Sequence, residues 1–276
     1  MNNLTDLETK GYVVIPNFLD KTIIDQAIAD YNVQKQIALD NGFDDRAYKT
    51  IYTYISLISG LDSKIQNLLT ELSSQTNITA NVFRNQCEYF DNSYIKFEWH
   101  QDHDPYYNWQ TGYNSLNLWI PIIKPNTKEC GLMVVPHTKI QEFSRSFFKN
   151  HIFNSGAKRF ESMSETSCIM NDDESGTTKI VPINFNNLSE VPELGAGDLL
   201  LMRNDVLHST QVGNDHRVAI SIRCTDGNTK VYRDKFYNQC QIKKIIMEKN
   251  KGKYQKTFNY FETYDVDYVT AGEVLN

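Results

Sequence analysis

Two kinds of hydrophobic spacing divide the chain. Near the N-terminus the period is mostly helical. Leu4 to Lys10 predicts a short helix, and the β-branched run Tyr12-Val13-Val14-Ile15, opened by Gly11 and closed by Pro16, predicts a short strand. Ile23, Ile24, Ala27 and Ile28 form an apolar stripe that predicts a helix from about Lys21 to Gln36, with Asp20 as its N-cap. Ile65, Leu68, Leu69 and Leu72 predict another over Ser63 to Leu72.

From about Thr79 to Arg223 the period becomes two. Tyr94 to Asp102 alternates, with Ile95, Phe97 and Trp99 on one face and Tyr94, Lys96, Glu98, His100 and Asp102 on the other. Ser115 to Ile122 sets Leu116, Leu118, Ile120 and Ile122 opposite Asn117 and Trp119. Leu199 to Met202 is a continuous apolar run after the turn signal Gly195-Ala196-Gly197-Asp198. Arg217 to Arg223 sets Val218, Ile220 and Ile222 opposite Arg217, Ala219, Ser221 and Arg223. Strands with one apolar face and one face of polar, ligand-capable side chains predict a β-sandwich with a functional cavity inside and helices outside.

Two stretches depart from this design. Residues 139–194 are polar and weakly periodic, with a loop tip expected at Asn171 to Thr178, and are expected to form a lid or substrate-binding insertion. Residues 228–276 form a C-terminal extension in which Ile242, Ile245 and Ile246 predict a helix. The whole chain, 1–276, is expected to be one domain.

Composition narrows the class. The chain is 40% hydrophobic and 22% charged over 276 residues, enough for one sizeable core. No run approaches a membrane span and no secretory signal is visible, so a cytoplasmic location and no membrane partner are expected. A net charge of −6 argues against a nucleic-acid surface. Cys87, Cys130, Cys168, Cys224 and Cys240 are spread out with no C-x-x-C pair, which favours reduced thiols.

The sharpest local chemistry is His100-Gln101-Asp102. On a strand, residues two apart project the same way, so an imidazole and a carboxylate converge. With a distant second histidine they make a two-His-one-carboxylate triad, which leaves open positions on Fe(II) for a cosubstrate and O2. An H-x-D tripeptide also arises by chance as a hydrogen-bonded pair. Among six histidines, His208 is the best second ligand, because it follows the apolar strand that ends near Met202. Arg217, nine residues on, suits a bidentate contact to the far carboxylate of a cosubstrate, the bland alternative being a rim salt bridge. His103 points away from the H-x-D face if the strand continues, or bends toward substrate. His137 and His151 are expected to be structural, and His216 alternates away from Arg217.

Several of these segments occur in a recognisable order: Gly11 to Leu19, Trp99-His100-Gln101-Asp102, Leu116-Asn117-Leu118-Trp119-Ile120-Pro121, Gly131 to Pro136, and Gly197 through His208 to Arg217. In that order they resemble the phytanoyl-CoA dioxygenase-like (PhyH) family of Fe(II)/2-oxoglutarate-dependent oxygenases, over roughly Leu4 to Arg223. The resemblance implies an all-β core with flanking helices, a cupin-like double-stranded β-helix or jelly-roll. It implies His100, Asp102 and His208 as iron ligands and Arg217 as the clamp for 2-oxoglutarate. One departure is the segment His137-Thr138-Lys139, where the family usually carries a Gly-Ser-His element.

Asn117, Trp119 and Gln86 are candidate cosubstrate or supporting contacts. Tyr106, Tyr107, Trp109, Arg223, Arg203 and His103 are candidate substrate contacts. The expected activity is hydroxylation of a C–H bond in a small-molecule metabolite, such as a carboxylate-bearing amino acid or natural-product intermediate. Cyclisation, desaturation or epoxidation by the same iron chemistry is the alternative, and Asp102 disfavours halogenation. A non-catalytic jelly-roll and a zinc enzyme on a similar barrel are the other classes, and the complete set with Arg217 argues against both.

Overall fold

The structure is a computed structural model, described over residues 4–43, 48–102, 115–249 and 251–275. The N-terminal elements follow their hydrophobic pattern: α1 (Asp6–Thr9), β1 (Tyr12–Ile15), α2 (Lys21–Asp40), β2 (Ile51–Tyr54) and α3 (Leu61–Gln75). Asp20 caps α2, its Oδ1 accepting from the Ile23 N–H at 3.1 Å. Next come β3 (Val82–Phe83), β4 (Gln86–Asp91), β5 (Leu116–Ile123), β6 (Leu132–Val135) and α4 (His137–Phe143). The remaining core strands are β7 (Lys158–Ser162), β8 (Cys168–Asp172), β9 (Thr177–Val181), β10 (Leu199–Arg203), β11 (Leu207–Thr210) and β12 (Val218–Thr225).

Seven strands form an antiparallel main sheet in the order β1-β10-β5-β12-β4-β2, with β3 beside β12. The period-two pattern decides what each face does. Leu116, Leu118, Ile120 and Ile122 of β5 and Val218, Ile220 and Ile222 of β12 pack with α2 and α3 in the largest core cluster. Asn117 and Trp119 of β5 and Arg223 of β12 point the other way, into a cavity.

The second sheet closes over that cavity. β6 pairs with β11, and β7, β8 and β9 form an antiparallel meander. His100 bridges the two groups, paired with His208 on one side and Arg159 on the other. The result is a double-stranded β-helix with flanking helices. Residues 139–194 supply the meander and a core packed around Ile140, Phe148, Phe160, Met170 and Phe185. They are a wall with its own hydrophobic interior, and the polar tip expected near Asn171 to Thr178 is the β8–β9 hairpin, with Gly176 at φ 71°.

The segment Tyr94 to Asp102 is not the regular strand its alternation suggests. Asp91 closes a turn, accepting from the Tyr94 and Ile95 N–H groups at 3.0 and 3.2 Å. The chain then runs extended along β11, with Thr210 N–H donating to Phe97 O and His100 exchanging bonds with His208. Between those contacts the 97–100 side carries one more residue than the 208–210 side, a bulge that interrupts the ladder. Phe97 therefore turns toward the cavity beside His100, at 5.2 Å between rings.

The C-terminal extension is a compact unit of β13 (Lys230–Tyr232), α5 (Arg233–Tyr237), α6 (Gln241–Lys249), α7 (Lys251–Thr263), β14 (Tyr268–Thr270) and α8 (Ala271–Leu275). Val231, Phe236, Tyr254, Phe261 and Val269 form its core. It walls the cavity with Ile245, Lys249, Lys253 and Tyr254. Lys253 forms an ion pair with Glu88 of β4, both largely out of solvent. Burial pushes the Lys253 pKa down, and a carboxylate in contact favours the ammonium form. No helix among the described residues is long and apolar enough to cross a membrane.

Removing one side of a buried pair takes away the charge that offsets the burial of the other. Glu88→Gln is expected to cost about 3–5 kcal/mol in chemical denaturation, while the double replacement Glu88→Leu with Lys253→Met stays close to wild type.

Candidate metal centre

The two histidines meet because their backbones do. His100 N–H donates to His208 O and His208 N–H to His100 O, each at 3.0 Å. An antiparallel pair bonded in this way projects both side chains to the same face. The imidazole centroids lie 4.2 Å apart. Each Nδ1 faces a carbonyl, His100 that of Glu98 at 2.7 Å and His208 that of Val206 at 3.0 Å. With the proton held there, Nε2 is left as the ligand atom of each ring.

Asp102 completes the group. Its Oδ1 lies 3.8 Å from His208 Nε2, and one donor atom from each of the three residues falls within 4.8 Å of the others. Asp102 and His208 are buried and His100 is half-buried. Two neutral nitrogen donors and one carboxylate fit a divalent transition metal, Fe(II) above all when ligand positions stay open.

A closed ring of hydrogen bonds surrounds the carboxylate. Arg223 Nη2 donates to Asp102 Oδ1 at 2.7 Å and Arg223 Nη1 to Ser221 Oγ at 2.8 Å. Ser221 donates to Asn117 Oδ1 at 3.0 Å, and Asn117 Nδ2 reaches Asp102 Oδ2 at 3.3 Å. The strand register makes this possible, since Arg223 of β12 sits directly opposite Asn117 of β5.

Gln101, between His100 and Asp102, alternates away from them into a fully buried position. Its Nε2 donates to Ile152 O at 2.9 Å and Asp205 O at 2.8 Å, and its Oε1 accepts from Ser155 Oγ at 3.0 Å. One amide thus ties the His100–Asp102 segment to the turn that leads into His208.

Arg217 lies 2% exposed on the same cavity. Its Nε donates to Cys130 O at 3.1 Å and its Nη1 to Phe90 O at 3.0 Å. The guanidinium stands over the Trp119 ring, 5.3 Å from its centroid. Burial pulls its pKa down to about 10, so it remains a cation at neutral pH. Among the described residues it makes no ion pair. The cavity encloses about 670 Å³, room for a dicarboxylate and an organic molecule together.

The expected site residues divide into three groups. His100, Asp102, His208, Arg217, Asn117, Trp119 and Arg223 share the cavity. Of these, Arg223 is engaged by Asp102 rather than presented to a substrate. Gln86 and Arg203 lie outside the lining. Gln86 opens β4 opposite Tyr54, two residues before Glu88, where the lining by this strand begins. Arg203 grips the Asp205 carboxylate through Nε and Nη2 at 3.0 and 2.7 Å and stacks on Phe153. His103, Tyr106, Tyr107 and Trp109 fall outside the described residues. His137, His151 and His216 do not line the cavity, and His216 bonds Asp91 at 3.1 Å.

Sequence reasoning missed Gln101, Ser221, Arg159 and the C-terminal lysines. Gln101 and Ser221 carried a usable signal, a buried polar position beside or opposite a ligand-bearing one. Arg159, held by Asp173 at 2.7 and 2.9 Å, carried none.

No protein-family profile and no curated protein matches the sequence. Solved structures do resemble the chain. The apo form of the non-heme monooxygenase ThoJ is similar with a TM-score of 0.53 at 15% identity, covering 82% of this chain and 78% of that one. EvdO2 from Micromonospora carbonacea var. aurantiaca gives a TM-score of 0.48 at 11% identity, over 80% and 89%. The non-heme alpha ketoglutarate dependent carbocyclase SnoK from nogalamycin biosynthesis gives 0.47 at 12%, over 83% and 84%. At such identities the ThoJ likeness speaks to the fold alone. That fold is the double-stranded β-helix already read from the strand order.

If Gln101 holds both ligand-bearing segments in register, Gln101→Leu weakens Mn(II) binding by about 10- to 100-fold, measured by isothermal titration. Circular dichroism should retain the β-rich spectrum.

Proposed function

We propose that this chain is an Fe(II)- and 2-oxoglutarate-dependent oxygenase that oxidises a C–H bond of a small organic molecule. The observation that carries this reading is one cavity holding a His100–Asp102–His208 donor group and a buried guanidinium with no ion pair among the described residues. The donor chemistry fits iron, and the guanidinium fits a dicarboxylate cosubstrate.

In this reading His100 Nε2, His208 Nε2 and Asp102 hold the metal. Fe(II), with 2-oxoglutarate and O2, supplies oxidative decarboxylation to succinate and CO2 coupled to oxidation of the substrate. Arg217 takes the far carboxylate of 2-oxoglutarate. A buried cation that, among the described residues, is bonded through carbonyls gains strongly from such an anion, and the fork geometry allows two parallel hydrogen bonds. Trp119 lies against the guanidinium, 5.3 Å from ring centroid to Cζ, in cation–π contact. Phe90, Phe97 and Phe160 give the cavity an apolar wall against which a substrate packs.

Hydroxylation is the reaction we favour, because Asp102 keeps a carboxylate where a halide would otherwise sit. Desaturation, cyclisation and epoxidation remain open to the same residues. The order of motifs supports a PhyH-like member of this enzyme class.

Anaerobic addition of Fe(II) and 2-oxoglutarate should produce a weak visible charge-transfer band. His208→Ala is expected to abolish it. Arg217→Ala should weaken 2-oxoglutarate affinity by roughly 1.5–3 kcal/mol, on the order of 10- to 100-fold, with little change in metal affinity. A band that persists in His208→Ala, or an unchanged 2-oxoglutarate affinity in Arg217→Ala, would sink this assignment.

A further inference from the structure

Two of the three arginines that line the cavity have opposite kinds of partner. Arg217 is bonded through backbone carbonyls, whereas Arg223 is paired with Asp102. The Arg223 contact falls on Asp102 Oδ1, the same oxygen that lies 3.8 Å from His208 Nε2. A guanidinium and the ligand group therefore meet at one atom.

We propose that Arg223 is a positioning residue that acts as a stand-in counter-ion for the metal. It offsets the burial of the carboxylate and aims it into the cavity before metal binds. This rests on the iron-site reading above and adds to it a role for Arg223.

The physical argument compares two states of one chain. Without metal, Asp102 is 4% exposed, and a buried carboxylate is costly unless a cation lies against it. Arg223 provides that cation, with a side chain only 11% exposed. Its orientation is fixed independently of the metal, because Nη1 is held by Ser221, and Ser221 by Asn117. Once a divalent ion occupies the group, the carboxylate has a stronger partner, and the guanidinium becomes a like charge beside the metal. Removing the positive charge at position 223 should therefore harm the metal-free chain more than the loaded one. By linkage, a change that destabilises the free state more than the bound state tightens binding.

That sign separates the proposal from a purely orienting role. A partner that only aims a ligand loosens the metal when removed, typically by about 10- to 100-fold. A counter-ion tightens it when removed.

The test uses the metal-free full chain with Mn(II) as the probe, at pH 8 and without 2-oxoglutarate. Arg223→Gln is expected to lower the melting temperature of the metal-free chain. It should bind Mn(II) about tenfold more tightly than wild type and show a larger Mn(II)-induced rise in melting temperature. Arg223→Lys keeps the charge and should bind Mn(II) within about threefold of wild type. Equal or weaker binding by Arg223→Gln overturns the proposal. If Arg223→Gln does not fold, the metal-free pair Asp102→Asn and Asp102→Asn/Arg223→Gln decides. The double variant should melt higher than Asp102→Asn, whose guanidinium is stranded, and a lower melting temperature overturns the proposal. Failure of the iron reading looks different: wild type would bind no Mn(II), or His208→Ala would bind it as well as wild type.

Discussion

The site depends on a two-residue backbone contact. His100 and His208 exchange both of their main-chain hydrogen bonds, and that exchange turns two imidazoles from distant parts of the chain toward one point. The same contact joins β11 to β7 through His100, so the second sheet and the donor group form together. A slip of one residue would send His100 and Asp102 to the opposite face and bring Gln101 inward. The buried Gln101 amide, bonded on three sides, opposes that slip. The bulge before His100 absorbs the extra residue, so that Phe97 and His100 both reach the cavity.

Around this pair, the sandwich sorts charge by depth. The main sheet places aliphatic side chains against α2 and α3 and polar ones inside. Four cations of the cavity lining show this sorting, Arg159 being the most exposed of them. Lys253 has Glu88, Arg223 has Asp102 and Arg159 has Asp173. Arg217 is the exception among these four, held by two carbonyls and a ring face. The contrast between Arg217 and Arg223 carries the functional reading, because residues of one type on one strand face have partners of different charge.

How legible this was in the sequence depended on whether the deciding interaction was local. The period-two runs at Leu116–Ile122 and Val218–Ile222 named the core faces correctly, since an apolar stripe on a strand has one place to go. Helix α2 began at its expected cap for the same local reason. His100, Asp102, His208 and Arg217 were named through spacing and motif order, and they share one cavity. What failed was non-local. The Tyr94–Asp102 alternation looked like a strand, yet its ladder partner is β11, more than a hundred residues on, with a bulge that no local pattern announces. Arg203 sat close to His208 in sequence, but Asp205 was closer still and captured it. Residues 139–194 looked polar because the meander strands bury only alternate side chains, Phe160 and Met170 among them.

The C-terminal unit gains its meaning from where it is pinned. It has its own core and meets β4 through Lys253 and Glu88. A buried ion pair adds little net stability over an apolar contact of the same size, but it tolerates few geometries. Its value at this junction is therefore placement. Glu88 lies two residues from Phe90 on β4, and the Phe90 carbonyl is one of the two that hold the Arg217 guanidinium. Side chains two apart on a strand share a face, so the position of α7 and the position of the Arg217 guanidinium are set by the same short stretch of β4. A shift of the C-terminal helices would move the cavity wall formed by Lys249 and Tyr254 and would strain the carbonyl that aims Arg217. The extension that the motif order leaves unmatched is thereby tied to the Arg217 end of the cavity as well as to its wall.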